Sequence, residues 1–203
     1  IMALSEKAQA TRERILVAAT ELFYLHGFNA TGLDKILKAA DVTKGNFYYH
    51  FASKEALAIA TLDWQFDLIT EEIQTQVLSK KSASLNTLFA LLRLMAARQK
   101  KQYKNGHICG CYFGNFTLEL STASQAIRDK VTGIFKQYLS LIESLLVKAC
   151  DEGDVDRKIN PKQMSAVILS QIEGAILLDK AKQAPKNVDG SIRFIKQVLQ
   201  PVS

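Results

Sequence analysis

Apolar residues recur at three- and four-residue spacing along most of the chain, which is the spacing of one face of an α-helix. Between residues 33 and 40 the apolar positions are Leu33, Ile36, Leu37 and Ala40. No stretch shows the sustained alternation with a period of two that is typical of a half-buried strand. The pattern therefore predicts an all-α fold.

Nine helices are predicted, separated by glycine, proline and polar loops. The first is expected to begin at about residue 5 or 11 and to end at 26. The next six are expected at about 33–40, 44–50, 53–78, 85–98, 110–120 and 124–150, the eighth from 160 to beyond 178, and the ninth at 189–199. Thr43, Ser53, Asn160 and Asp189 are predicted N-caps, because a short polar side chain can accept a hydrogen bond from a free amide in the first turn. Gly27 is expected to end the first helix.

The second and third helices are joined by a turn at Asp41, because aspartate tolerates the left-handed backbone that such turns need. This is the helix-turn-helix arrangement, whose second helix enters the DNA major groove. Phe47 and Phe51 are expected to face inward, and polar residues remain for DNA bases and phosphates. The predicted DNA-binding residues are Thr31, Thr43, Lys44, Gly45, Asn46, Tyr48, Tyr49, His50 and Lys54.

The sequence KGNFYYHFASKEAL at 44–57, preceded by FNATGLDKILKAADVT at 28–43, resembles the DNA-binding domain of the tetracycline-repressor (TetR) family of bacterial transcription regulators. The resemblance covers about the first quarter of the chain. Asp41 departs from the family pattern, which usually has glycine in this turn. The resemblance implies a homodimeric repressor that binds double-stranded operator DNA and is released from it by a small-molecule effector.

Two domains are predicted: a three-helix DNA-binding domain at 5–52, and a helical ligand-binding and dimerisation domain at 53–200. The eighth helix carries two apolar stripes, so it must be buried on more than one side. One stripe is expected to meet a second subunit, as the family resemblance implies for the last two helices; a larger monomeric core is the alternative. The predicted dimer-interface residues are Met164, Ile168, Gln171, Ala175, Leu178, Ile192, Ile195 and Leu199.

An effector pocket is expected among the fourth to eighth helices. Aromatic residues there are candidates for its walls, although aromatic residues at helical spacing also build ordinary cores. Polar residues in mainly apolar segments need a hydrogen-bond partner, which a ligand, a water or another side chain can supply. The predicted ligand-binding residues are Trp64, Phe89, Cys111, Tyr112, Asn115, Phe116, Glu119, Tyr138 and Glu173. Control by a protein partner, with no small ligand, is a further alternative.

The segment GHICGCYFGNFTLEL at 106–120 resembles the GC-containing segment of one branch of the family. Three interpretations of its cysteines stay open. Cys109 and Cys111 can be an inert buried pair. One of them can be a reactive thiol that senses electrophiles or oxidants, since a cysteine at a helix N-terminus can have a lowered pKa. His107 with both cysteines could also bind zinc, although the spacing is unusual and a fourth ligand is not apparent.

The formal charge is +6 and the pI is about 9.2, which favours an anionic partner. Residues 1–57 hold seven basic and six acidic side chains, so DNA recognition must depend on their placement. No nucleotide-binding, zinc-protease or hydrolase motif is present, and we expect neither an enzyme nor a bound cofactor or metal. Three cysteines and no apolar run of membrane-spanning length indicate a cytoplasmic protein.

Overall fold

The computed structural model describes residues 5–199, and helices account for most of them. The all-α prediction is confirmed. The helices are α1 (Glu6–His26), α2 (Leu33–Ala40), α3 (Lys44–His50), α4 (Lys54–Ile73), α5 (Ser84–Lys104), α6 (Tyr112–Leu120), α7 (Gln125–Glu152), α8 (Pro161–Lys182) and α9 (Asn187–Leu199). A π-helical turn, Gln74–Leu78, continues α4 to the predicted end at Leu78.

Side-chain caps define most of the predicted helix starts. Thr43 accepts a hydrogen bond from the Asn46 amide, and Ser53 accepts one from the Ala56 amide. Asn160 caps α8 in the same way, immediately before Pro161 at the first helical position. These three caps were correctly predicted because the cap residue and its partner amide lie three positions apart in sequence.

The prediction that Asp189 caps the last helix is wrong. Helix α9 begins two residues earlier, at Asn187, and Asp189 lies in its first turn. The cap comes from Asp179 on α8, whose buried carboxylate accepts hydrogen bonds from the amides of Lys186 and Asn187 at 3.1 and 2.7 Å. A carboxylate from the preceding helix thus replaces the local cap.

Helix contacts divide the chain into two compact units. Unit 1 comprises residues up to Leu68 together with Tyr112–Val131, and unit 2 comprises Ile69–Cys111 together with residues from Thr132 onward. This division differs from the predicted boundary at residue 53. Helix α6 and the first part of α4 belong to the same unit as the helix-turn-helix: α6 packs on α1, and α4 contacts α6 through Thr61 and the turn after α1 through Lys54.

The core of unit 1 is aromatic. Phe23 of α1 lies edge-on to Phe116 of α6, with ring centroids 5.9 Å apart. Tyr24 and Tyr112 form a second edge-on pair between the same helices at 5.3 Å. The buried hydroxyl of Tyr112 donates a hydrogen bond to Thr61 of α4 at 2.9 Å. Helices α1, α4 and α6 are therefore joined by both packing and hydrogen bonding.

Unit 2 holds its own loops with side-chain hydrogen bonds. Glu152 at the end of α7 accepts hydrogen bonds from the amide and the hydroxyl of Ser84, at 2.8 and 2.7 Å, and thereby caps α5. Gln183 accepts from the Ile108 amide and donates to the Ile108 carbonyl. Gln102 accepts from the Cys109 amide at 2.7 Å. The loop that precedes α6 is thus fixed by a residue of α5 and by the residue that follows α8.

Candidate DNA-binding surface and effector site

Helix α3 has an exposed polar face, and its opposite, apolar face is buried through Phe47, which we call the anchor of the helix. Phe47 is completely buried and Phe51 almost so, as predicted, with ring centroids 5.9 Å apart. The exposed residues of the segment are Thr43, Lys44, Gly45, Asn46, Tyr48 and Tyr49, while His50 is partly exposed. A short helix with a fixed inner face and cationic, amide and hydroxyl groups outside is suited to bind DNA.

The turn before α3 has the conformation that aspartate was predicted to adopt. Asp41 is left-handed, with φ 51° and ψ 56°, and its amide caps α2 through the Leu37 and Lys38 carbonyls. Arg14 of α1 contacts Asp41 at both the carbonyl and the carboxylate, at 3.5 and 3.9 Å. The turn therefore does not need the glycine that the family usually has.

Two of the predicted DNA-binding residues are used inside the protein instead. Thr31 has no exposed surface, and its hydroxyl donates to the Gly27 carbonyl at 2.6 Å. Lys54 directs its ammonium group to the Phe28 carbonyl, also at 2.6 Å. Both residues fix the turn between α1 and α2, so we remove them from the DNA-binding set.

Arg12 is a neighbour of α3 that the sequence pattern did not reveal. Its guanidinium carbon lies 5.2 Å from the centroid of the Phe51 ring, in a cation–π arrangement. Burial lowers the pKa of His50, and the positive charge of Arg12 lowers it further. The only sequence signal for Arg12 was its place on the first helix, 39 positions before Phe51.

The predicted ligand-binding residues fall into both units. Trp64, Tyr112, Asn115, Phe116 and Glu119 belong to unit 1. Within that unit the polar groups of Tyr112 and Glu119 already have protein partners, since the Tyr112 hydroxyl donates to Thr61 and the Glu119 carboxylate accepts from two amides. Neither group is an unsatisfied polar atom that needs a ligand.

Unit 2 brings together Cys111, Tyr138 and Glu173, from three segments distant in sequence. Burial raises the pKa of the Glu173 carboxyl, and a hydrogen bond with Cys111 opposes the shift. Burial also raises the pKa of the Tyr138 hydroxyl; the neighbouring Cys111 and Glu173 add to this, and Arg98 opposes it. We call these three residues the acid–thiol–phenol cluster. Phe89 lies buried in the same unit.

Unit 2 also contains a buried side-chain amide, Gln99 of α5, which hydrogen-bonds the residue before Cys111. Gln99 is almost completely buried, and its Nε2 donates to the Gly110 carbonyl at 3.5 Å. Within residues 5–199, no hydrogen-bond donor reaches its Oε1. A buried acceptor without a donor is costly, and a bound molecule can supply the missing hydrogen bond. Sequence reasoning missed Gln99 because it treated 99–107 as a polar helix end and loop.

The two cysteines of the 106–111 loop differ in environment. Cys109 has a raised pKa, because burial outweighs the effect of the nearby Lys180 charge. A lowered pKa was the reason for proposing a reactive thiol, and it does not apply to Cys109. Across residues 5–199, the His, Cys, Asp and Glu side chains form no cluster of three or more of the kind that holds a metal ion.

The predicted dimer-interface residues separate into inner and outer positions. Ile168, Ala175, Ile195 and Leu199 are buried inside the chain itself, so they leave no surface for a second subunit. Gln171 and Leu178 are exposed, and Met164 and Ile192 are partly exposed. The exposed apolar residues of α8 and α9 are Val167, Leu177, Leu178, Phe194 and Val198. Both stripes of α8 are apolar, and the spacing alone did not indicate which one faces inward.

Two family models match the chain. Residues 15–61 match the model described as bacterial regulatory proteins, tetR family, and residues 85–195 match the tetracyclin repressor-like C-terminal domain. The first match contains the helix-turn-helix and the second contains the acid–thiol–phenol cluster. None of the helices in the described range 5–199 is long and apolar enough to cross a membrane.

Curated relatives match over nearly the whole chain. The HTH-type transcriptional repressor DhaR of Mycobacterium sp. (strain GP1) is 27% identical over 94% of this chain and 92% of its own. The HTH-type transcriptional regulator LmrA of Bacillus subtilis is 31% identical over 83% and 85%. The reduced form of NemR from E. coli superposes with a TM-score of 0.83 at 24% identity, covering 95% of this chain and 99% of that one. The protein belongs to the TetR family of bacterial transcription regulators.

Proposed function

We propose that the protein is a homodimeric repressor that acts in the cytoplasm, binds a two-fold symmetric operator through α3, and is released by a small molecule bound in unit 2. The observation that carries the proposal is the exposed polar face of α3 on its buried Phe47 anchor. DhaR and NemR are both named as transcriptional repressors, which supports repression over activation.

The proposed DNA-binding set is smaller than the sequence suggested. Lys44 and Asn46, in the first turn of α3, are the proposed contacts to base edges, because a recognition helix enters the groove by its N-terminal end. Tyr48, Tyr49 and His50 are the proposed phosphate contacts, together with the exposed residues Thr43 and Gly45 at the helix start.

A second copy of the chain is the proposed partner for the exposed apolar face of α8 and α9. Leu177, Leu178 and Phe194 are each about half exposed in the single chain. Removing apolar surface of this kind from water lowers the free energy, which supports its burial in a homodimer. Pairing would hold two copies of α3 at the spacing of successive major grooves, about 34–36 Å.

The acid–thiol–phenol cluster is the proposed effector site. Burial raises the pKa of the Glu173 carboxyl, and Gln99, which hydrogen-bonds the residue before Cys111, has a buried Oε1 that no donor in residues 5–199 reaches. A ligand with N–H donors or a positive charge would satisfy both, whereas an anion would be repelled by Glu173. We therefore propose a cationic or amine-bearing effector of low molecular mass.

Selection from a random pool of duplex DNA at low ionic strength tests the DNA-binding function. We expect enrichment of a sequence with two related half-sites about one helical turn apart. Lys44→Ala should weaken binding to that sequence, while Lys148→Ala, an exposed lysine of α7, should not. Absence of any enriched sequence for the wild-type protein contradicts the proposal.

The effector proposal is tested by thermal unfolding with matched probes. Benzylamine, benzyl alcohol and benzoate share one ring and carry a positive, a neutral and a negative group. We expect benzylamine to raise the melting temperature most and benzoate least, because only the cation complements Glu173. Glu173→Gln should remove this difference. Equal shifts for the three probes contradict a cation-selective site.

A thiol-based sensor is a second candidate, favoured by the hydrogen bond between Cys111 and Glu173. The Glu173 carboxylate can take the Cys111 proton as the sulfur adds to an activated double bond, and can return it to the adjacent carbon. The E. coli NemR structure that shares this fold is of a reduced form of that protein. N-ethylmaleimide labelling followed by mass spectrometry tests this candidate: selective modification of Cys111, slowed in Glu173→Gln, supports it, and no modification excludes it.

A further inference from the structure

The turn between α1 and α2 is hydrogen-bonded to a carboxylate of another helix. Gly27 ends α1 with φ 84°, and the next two amides, of Phe28 and Asn29, point to Glu119 of α6. Phe28 donates to Oε2 at 2.9 Å and Asn29 donates to Oε1 at 2.6 Å. Each carboxylate oxygen therefore accepts one backbone hydrogen bond, across about 90 residues of sequence.

Glycine at position 27 is favoured by this contact as well as by the backbone. A Cβ atom there would lie 3.0 Å from Oε2 and 3.4 Å from Oε1 of Glu119. The positive φ would strain any other residue in the same place. The close approach of the carboxylate and the left-handed end of α1 therefore depend on one another.

Lys54 binds the same turn from the start of α4. Its ammonium group donates to the Phe28 carbonyl at 2.6 Å and lies 4.0 Å from the centroid of the Phe28 ring. Burial lowers the pKa of Lys54, and the negative charge of Glu119 opposes that shift. The peptide group between Phe28 and Asn29 thus accepts from a cation at its C=O and donates to an anion at its N–H. Hydrogen bonds at the two ends of one peptide group polarise and strengthen each other.

Two further residues on the same face of α6 pack against α1 and the turn that follows it. Phe116 packs against Phe23 and Phe28, and Tyr112 packs against Tyr24. With Glu119, these residues follow each other at one-turn spacing. The residue that precedes α6 is Cys111, a member of the acid–thiol–phenol cluster. Within unit 1, α6 therefore contacts α1 at Phe116 and Tyr112 and the turn after α1 at Glu119.

We propose that Glu119 is a positioning residue for operator binding. By binding the amides of Phe28 and Asn29, it fixes the helix-turn-helix to α6 in the orientation that lets the two DNA-binding heads of a dimer, each made of α1–α3, bind one operator. This rests on the function proposed above. Glu119 itself touches no DNA. Its loss should leave each head folded and able to bind a half-site, but should disturb the joint placement of two heads.

The test compares Glu119→Gln with Glu21→Gln. Glu21 is an exposed residue of α1 in the same unit, so the second variant makes the same change of charge without breaking the turn contact. Both are titrated with the selected full operator and with a duplex in which one half-site is scrambled. We expect Glu119→Gln to weaken full-operator binding about tenfold, the scale of a hydrogen bond to a charged group, and to change half-site binding less than about twofold.

Each other outcome has a definite meaning. Equal behaviour of the two variants overturns the proposal, and equal loss on full operator and half-site assigns Glu119 a purely structural role, which also overturns it. Failure of the wild-type protein to bind any duplex instead contradicts the proposed function. Should Glu119→Gln not fold, amide exchange in the wild-type protein decides: slow exchange at both Phe28 and Asn29, further slowed by operator, supports the proposal, and rapid exchange at either overturns it.

Discussion

Helices α3 and α6 both carry polar side chains among aromatic ones, yet the two helices use them in opposite ways. The polar groups of α3 are exposed, and the buried Phe47 is the anchor beneath them. On α6 two polar side chains have partners in other segments: Tyr112 donates a hydrogen bond to Thr61, and Glu119 accepts hydrogen bonds from the turn after α1, while Leu118 is 75% exposed. The comparison teaches that polar residues in a short aromatic helix can serve recognition or internal connection, and only their partners distinguish the two.

The largest expected effect comes from removing the anchor of α3. Phe47→Ala should lower the free energy of unfolding by about 3–5 kcal/mol, because a fully buried ring leaves a cavity. Urea denaturation followed by circular dichroism measures this loss. Tyr49→Ala, on the exposed side of the same helix, is the control and should change stability by less than about 0.5 kcal/mol. Similar losses in both variants would contradict the assignment of inner and outer faces.

Lys44 and Thr31 sharpen the contrast between an exposed and a buried polar residue. Lys44→Ala should cost about 1–3 kcal/mol of operator binding and relax base preference at one position if Lys44 contacts a base edge.

Thr31→Val should instead cost about 1–3 kcal/mol of folding stability, because it removes the hydroxyl that donates to the Gly27 carbonyl. Fluorescence anisotropy at several salt concentrations measures how operator affinity falls with salt. Thr31→Val should show the same slope of log affinity against log salt concentration as the wild type. A reduced slope would place Thr31 at the DNA after all.

Helix boundaries near the DNA-binding surface could be predicted well because their determinants are local. Thr43 and Ser53 cap amides three residues ahead, and Asp41 adopts the left-handed turn that its side chain tolerates. The partners of Glu119 and Lys54 could not be predicted, since their contacts join residues 91 and 26 positions apart. Both looked like functional polar residues in sequence because nothing local satisfied them.

The cluster in unit 2 shows that residue type and apolar surroundings predict some site residues correctly and others wrongly. Cys111, Tyr138 and Glu173 were selected from sequence by residue type and apolar surroundings, and the fold brings them together. Tyr112 and Phe116 were selected by the same reasoning, and they pack within unit 1. Aromatic periodicity alone does not indicate which neighbour a helix packs against.

Glu173 should also make stability depend on pH. Because burial raises its folded pKa above the ordinary value of 4.5, the folded state holds this proton more tightly than the unfolded state. Its stabilising contribution is therefore present at low pH and is lost as pH rises from about 4.5 through the raised pKa. Compared with wild type, Glu173→Gln should lose less stability between pH 4.5 and 7.5 in denaturant titrations. Parallel pH profiles would contradict a desolvated carboxyl.

The smallest expected effect concerns His50. Its pKa is lowered by burial and by Arg12, so the folded protein holds this imidazole neutral at pH 7.5. Protonation, at pH values below its ordinary 6.5, would add a positive charge beside α3. Operator affinity should therefore rise a few-fold more between pH 7.5 and 5.5 for the wild type than for His50→Gln. An identical pH response of the two proteins would remove His50 from the contact set.

Photo-crosslinking from α3 and α6 tests the central claim most directly, because both helices belong to the same unit. A p-benzoylphenylalanine at position 49 replaces a tyrosine that is 69% exposed, and the same group at position 118 replaces a leucine that is 75% exposed. Illumination of each protein on the selected operator should crosslink DNA to position 49 and leave position 118 unlinked. Crosslinking from position 118, or none from position 49 on a bound duplex, would contradict the assignment of α3 as the helix that reads DNA.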